Sequence, residues 1–156
     1  MEPPRILSSV KYLLFPEKNH WVKRICLVFA FIFFDYFVTL LFCHFPQQEA
    51  NMYARGFMQL FGIPLGLTLF VWVANFPIYA TLSLDSHIVR FPSKIAAFVE
   101  VFMDLIFAWF VAGLHFRGGT SWFWSSSELV RQFLGTVLYL VIALLIIKPY
   151  KSHCND

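Results

Sequence analysis

The sequence predicts an all-α membrane protein, a four-transmembrane-helix bundle with an N-terminal interfacial amphipathic helix and a short surface helix between the first two spans. Three observations predict it. Hydrophobic residues make up 59% of the 156 positions, aromatic residues 20% and charged residues only 13%, against roughly a quarter charged in an ordinary soluble domain. Four apolar stretches, each long enough to cross a hydrocarbon core of about 30 Å, fill most of the chain. The Lys and Arg residues gather on alternate connections, which is how membrane orientation is written in a sequence. A soluble fold of this size could not bury so much apolar surface, and the length fits a single transmembrane domain, residues 1–156.

Residues 5–15 carry Ile6, Leu7, Val10, Leu13 and Leu14 at helical spacing, with Arg5, Ser8, Ser9 and Lys11 opposite, before Pro16 stops the pattern. That is the signature of a helix lying on a membrane surface. Residues 1–20 lack the charged, apolar, small order of a cleavable signal peptide, so the first span is expected to stay in the mature chain. That span reads over about residues 25–45, closed by Pro46. The next apolar stretch, residues 56–84, is too long for one straight crossing and is interrupted by Gly62, Pro64 and Gly66. Proline is best accommodated in a helix's first turn, so the stretch divides into a surface helix over residues 49–61 and a second span over about 65–84. The third span covers about 95–116, after the polar connection 85–94. Ser125-Ser126-Ser127-Glu128 has capping-box spacing and opens the fourth span, about 126–147, with Trp122, Phe123 and Trp124 as an interfacial anchor before it.

Arg5, Lys11, Lys18, Lys23, Arg24, Arg90, Lys94, Lys148 and Lys151 fall on one side of such a bundle, and only Arg55, Arg117 and Arg131 on the other. Nine basic residues against three place both termini in the cytoplasm of a cell-membrane protein. The net charge of +3 is modest and dispersed, so nucleic acid is not an expected partner. Cys26 and Cys43 lie near opposite ends of one predicted helix, about 25 Å apart at 1.5 Å per residue, and Cys154 sits in a polar tail. No disulfide framework is expected. The sequence contains no internal repeat of the kind that builds secondary transporters.

Ionisable residues inside a span cost about 2.5 to 3.5 kcal/mol each at the helix centre, so each demands a reason. Counted from the inner ends of their spans, Asp35, Asn75 and Asp104 are expected in one layer near the bilayer midplane, with Tyr79 and Glu100 one turn nearer the cytoplasm. Thr39 stands one turn above Asp35, and Glu100, Asp104 and His115 are spaced to form a polar stripe along the third span. Pro77 frees a backbone carbonyl beside Asn75. Carboxyl groups crowded at low dielectric cannot all stay ionised, so Asp35 and Asp104 are the expected titrating groups of a proton or cation site, with Thr39 and Asn75 as neutral ligands. Toward the outer face, His44, Glu49, Asn51, Arg55 and His115 form a second polar cluster. Its donors suit a divalent metal, but no H-E-x-x-H spacing is present, and a hydrogen-bonded Glu49 and Arg55 pair is the plainer expectation. No cofactor is expected; a bound cation is the one small partner the acidic residues ask for.

Asp35-x-x-x-Thr39, followed by Glu49-x-Asn51 and an apolar segment carrying Gly62 and Pro64, resembles a group of small prokaryotic multi-pass membrane proteins of unknown function. That group shows an Asp and a Thr in one span and Glu-x-Asn-Pro after it. Met52 stands here in place of the proline, and the likeness covers about residues 32–66. It implies a membrane protein and no particular activity.

The leading expectation is therefore a polar midplane site for a proton, a cation or a small polar ligand, in a transport or channel-like role. An accessory subunit packed in a larger membrane complex or a homo-oligomer is the second, supported by 20 phenylalanines that suit lipid-facing or partner-facing surfaces. An intramembrane hydrolase using Asp35 and Asp104 as a pair is the third, although Phe102-Met103 precede Asp104 where intramembrane aspartic proteases carry Gly-x-Gly. On balance a non-enzymatic role is favoured.

Overall fold

A computed structural model describes residues 19–88 and 93–146. The predicted surface helix over residues 5–15 and the C-terminal tail lie outside them. Among the described residues every regular element is helical, and four helices are long and apolar enough to cross a membrane: windows Val22–Phe42, Ile63–Ser83, Val101–Thr120 and Glu128–Ile146.

α1, Asn19–Phe42, ends four residues before Pro46, the proline predicted to close it, and a 3-10 turn, Pro46–Gln48, takes over the connection. α2, Met52–Phe61, is started by Asn51, whose side-chain oxygen accepts from the backbone N–H of Tyr53 and Ala54 at 3.0 and 3.3 Å. That is the service an N-cap residue gives to the unpaired donors of a first turn. Gly62 then adopts φ +81°, a left-handed conformation that ends α2, and Ile63 begins α3, Ile63–Ile88, with Pro64 in its first turn. Division of this stretch at Gly62 and Pro64 follows the chemistry of the two residues. α2 folds back on α3 so closely that a Cβ on Gly66 would run into the backbone carbonyl of Phe57.

The third span is built in three parts: α4, Ser93–Ile106, a π-helical stretch, Phe107–Gly113, and α5, Leu114–Thr120. Its apolar window lies several residues further along the chain than residues 95–116. A π turn widens the helix and shifts carbonyls off their usual partners. Here the fourth span, α6, Glu128–Ile146, supplies donors to them: the Thr136 hydroxyl bonds the carbonyls of Ala108 and Gln132, and the Gln132 amide reaches the carbonyl of Trp109. The cap of α6 differs from the expected box. Ser127 caps, accepting from Val130 N–H at 3.3 Å, while Glu128 turns to the Arg117 guanidinium at 3.1 Å.

The core sits where α1, the π stretch and α6 meet, with Val28, Ile32, Ala108, Ala112 and Tyr139 fully buried. A smaller cluster of Cys43, Ala54, Met58 and Leu67 joins α2 and α3 to the end of α1. The remaining apolar side chains, among them Phe37, Leu41, Trp72, Phe98, Leu144 and Leu145, are exposed outward on the helices. That inversion, large apolar groups outside and polar groups within, suits lipid as solvent.

Candidate functional site

α1 and the third span run parallel and are tied at two heights. Arg24 is buried, and its guanidinium grips the Asp104 carboxylate with two bonds of 2.8 and 3.0 Å. Paired N–H donors of arginine match the two oxygens of a carboxylate, which makes this among the stronger polar contacts available. Eleven residues further on, Asp35 Oδ2 meets His115 Nδ1 at 2.8 Å. Both ties span the same 80 positions in sequence. Arg24 and Asp35 are separated by about 16 Å along α1, eleven residues at 1.5 Å, and point to within about 20° of one another.

This arrangement corrects the expected midplane layer. Asp35 and Asp104 do not meet; each faces a base, one three turns from the other. At the expected register two carboxylates would have shared a site and repelled, whereas the observed offset opposes acid to base twice. The pair that an aspartic hydrolase requires is accordingly not formed. Asp104 belongs to a structural tie.

Asp35 instead belongs to a cavity of about 680 Å³ beside the end of the bundle that carries α2. Thr39 and Asn75 line it as well, 4% and 5% exposed. Three residues of the expected outer cluster, Glu49, Asn51 and His115, complete the polar wall, so the structure merges part of two predicted groups into one. Arg117, Trp122, Tyr36, Phe70 and Phe110 also face it. Local structure explains the assembly. α5 can approach Asp35 because position 118 is glycine; a Cβ there would stand 2.8 and 3.0 Å from the two carboxylate oxygens. Trp122, which follows α5, donates its indole N–H to the Thr39 hydroxyl at 3.2 Å. Asn75 donates to the carbonyl of Val71, one turn back in its own helix, at 2.9 Å.

The other candidates fall elsewhere. Tyr79 packs its ring edge-on to Phe29 and does not line the cavity. Glu100 lies on α4, and its side chain falls outside the described residues. His44 is exposed, and its backbone N–H is held by the Gln48 side chain. Arg55 does bond to Glu49, but to its backbone carbonyl, at 2.9 and 2.6 Å, and not to the carboxylate. The Glu49 carboxylate accepts instead from Asn51 N–H at 2.8 Å. Among the described residues no three His, Cys, Asp or Glu side chains converge as a metal site would require.

Burial raises the Glu49 pKa above the ordinary carboxylate value; the Asn51 N–H works against it, the negative charge of Asp35 adds to the rise by less, and Arg55 and the Ala50 N–H lower it slightly. An acid whose folded pKa is raised binds its proton more tightly in the folded state, so stability falls as pH climbs from the unfolded value through the folded one. Glu49→Gln, which fixes the neutral form, is therefore expected to melt at a higher temperature than the parent protein at neutral pH. The gap should close as pH is lowered below 4.5, the ordinary value for a glutamate carboxyl, and a gap that stays constant from acid to neutral pH would count against the shift.

Sequence reasoning missed Arg24 as a partner, Gly118 as the enabling small residue, and Arg117 and Trp122 as wall. A signal existed for the first: Arg24 and Asp35 share the eleven-residue spacing of Asp104 and His115, with charges in complementary order. Comparison with known protein families, with curated proteins and with solved structures finds no match to the chain. The site geometry stands alone.

Proposed function

We propose that the chain is a multi-pass protein of the cell membrane, with both termini in the cytoplasm, whose cavity on the opposite side takes up a small polar ligand or cation in a transport or channel-like role. The observation that carries this reading is the Asp35 and His115 pair set into the wall of a cavity of about 680 Å³, beside the buried Thr39 and Asn75. Pockets of this size with a few convergent polar groups are the usual form of a small-molecule site. Polar side chains facing a hollow are costly to leave against an apolar filling, so four of them lining one hollow favour a polar occupant, water included. The four positions of the likeness to small prokaryotic membrane proteins, Asp35, Thr39, Glu49 and Asn51, all line this cavity.

The binding role is tested by thermal melting of the purified protein in nanodiscs against Na⁺, K⁺, Mg²⁺, amino acids, sugars and amines. A ligand that binds only the folded state raises the melting temperature by mass action. At least one class is expected to stabilise the parent protein and not Asp35→Asn; silence from every class would remove the proposal. Orientation is a separate expectation: a C-terminal green fluorescent protein fusion should fluoresce and a C-terminal alkaline phosphatase fusion should be inactive. The reverse pattern would invert the topology.

A further inference from the structure

Resting on the binding role just proposed, we infer that the cavity's ligand is an organic primary ammonium ion, an amine headgroup carrying an apolar body. Its polar wall carries oxygens that receive no hydrogen bond among the described residues. Asp35 Oδ2 is taken by His115, while Asp35 Oδ1 receives no hydrogen bond among the described residues. Glu49, on the same wall, carries a carboxylate held by the Asn51 N–H. Asn75, 95% buried by its 5% exposure, spends an amide hydrogen on the Val71 carbonyl, and its own carbonyl oxygen has no donor among the described residues. The open oxygens of Asp35 and Asn75, beside the Glu49 carboxylate, ask for a donor-only cation, and an ammonium group offers three N–H donors and no acceptor.

The basic residues on the wall each face a carboxylate, His115 that of Asp35 and Arg117, through Nη1, that of Glu128. A bare metal ion fits less well, because no three metal-ligating side chains converge among the described residues, and the hollow is many times the roughly 30 Å³ of one water. What fills the remaining space is indicated by Phe70, Phe110 and Trp122, which line the same cavity. They would pack the apolar body, and an aromatic face adds attraction for a nearby cation.

The test is calorimetric titration of the protein in nanodiscs with phenethylammonium chloride, with its neutral isostere phenethyl alcohol and with KCl, empty nanodiscs correcting for partition into lipid. Phenethylammonium is expected to bind at least tenfold more tightly than the alcohol, and KCl not to compete. Glu49→Gln, whose carboxyl lies in a connection outside the four helices, should weaken the amine about tenfold, the usual scale for losing one charged hydrogen bond, and leave the alcohol unchanged. Its melting curve reports that it folds. Equal binding of amine and alcohol would overturn the inference, as would an amine affinity indifferent to Glu49→Gln. Binding of K⁺ or of a sugar with none for the amine would overturn it too, yet leave the cavity's binding role standing.

Discussion

Asp104→Ala is expected to cost the protein about 3 kcal/mol, measured as a shift in its unfolding curve in detergent. Removing one member of a buried ion pair takes from its partner's charge the carboxylate that offset its burial, and such losses run to about 3–5 kcal/mol. The lower figure applies because Asp104 keeps 20% of its side chain exposed and Arg24 10%. The same reasoning sets the control. Replacing both members, Arg24→Leu with Asp104→Leu, removes both charges and should recover most of the loss, since well-packed apolar substitutes for buried pairs are often neutral. A double variant as damaged as Asp104→Ala would show that the damage is one of packing and not of charge.

Gly66→Val is the second large effect. The side chain it adds would be driven into the carbonyl of Phe57, which is backbone on a neighbouring helix and cannot swing aside as a side chain would. Overpacking of this kind costs typically about 1–3 kcal/mol, and the upper end is expected here. α2 should move off α3, opening the small cluster of Ala54, Met58 and Leu67 and with it one wall of the cavity. The expected result is a lower melting temperature together with loss of any ligand-dependent stabilisation. Gly118→Ala is the milder counterpart, because the Asp35 carboxylate that it meets is the end of a side chain and can yield.

What the sequence made legible was whatever is decided within a few residues. Gly62 and Pro64 divide two helices because one tolerates a left-handed turn and the other lacks a donor, and both properties are visible in the letters. The four apolar helices were equally legible, since length and composition define them. Depth was not. The third span runs from Ser93 to Thr120 in segments of 14, 7 and 7 residues, more than a crossing needs, and nothing in its own letters says which part lies level with the middle of α1. Contacts with α1 settle it: Arg24 draws Asp104, and His115 draws Asp35. A reading from the nearest polar connection therefore placed Asp104 three turns out of step, while Asp35, Thr39 and Asn75 line one cavity. The capping box failed for a similar reason: Glu128 has a better partner in Arg117, 11 positions away, than in the backbone of its own first turn.

The Arg24 and Asp104 tie also bears on how such a chain would be assembled. Of the four candidate crossings, the third has the lowest mean hydropathy, and it carries an aspartate that on its own penalises entry into the hydrocarbon by some kilocalories. During synthesis the first helix precedes it and already presents a guanidinium at the matching height. Secure lodging of the later segment would then depend on the earlier one waiting beside the translocon, and a truncated chain beginning after the first helix should leave that later segment partly unretained in the lipid.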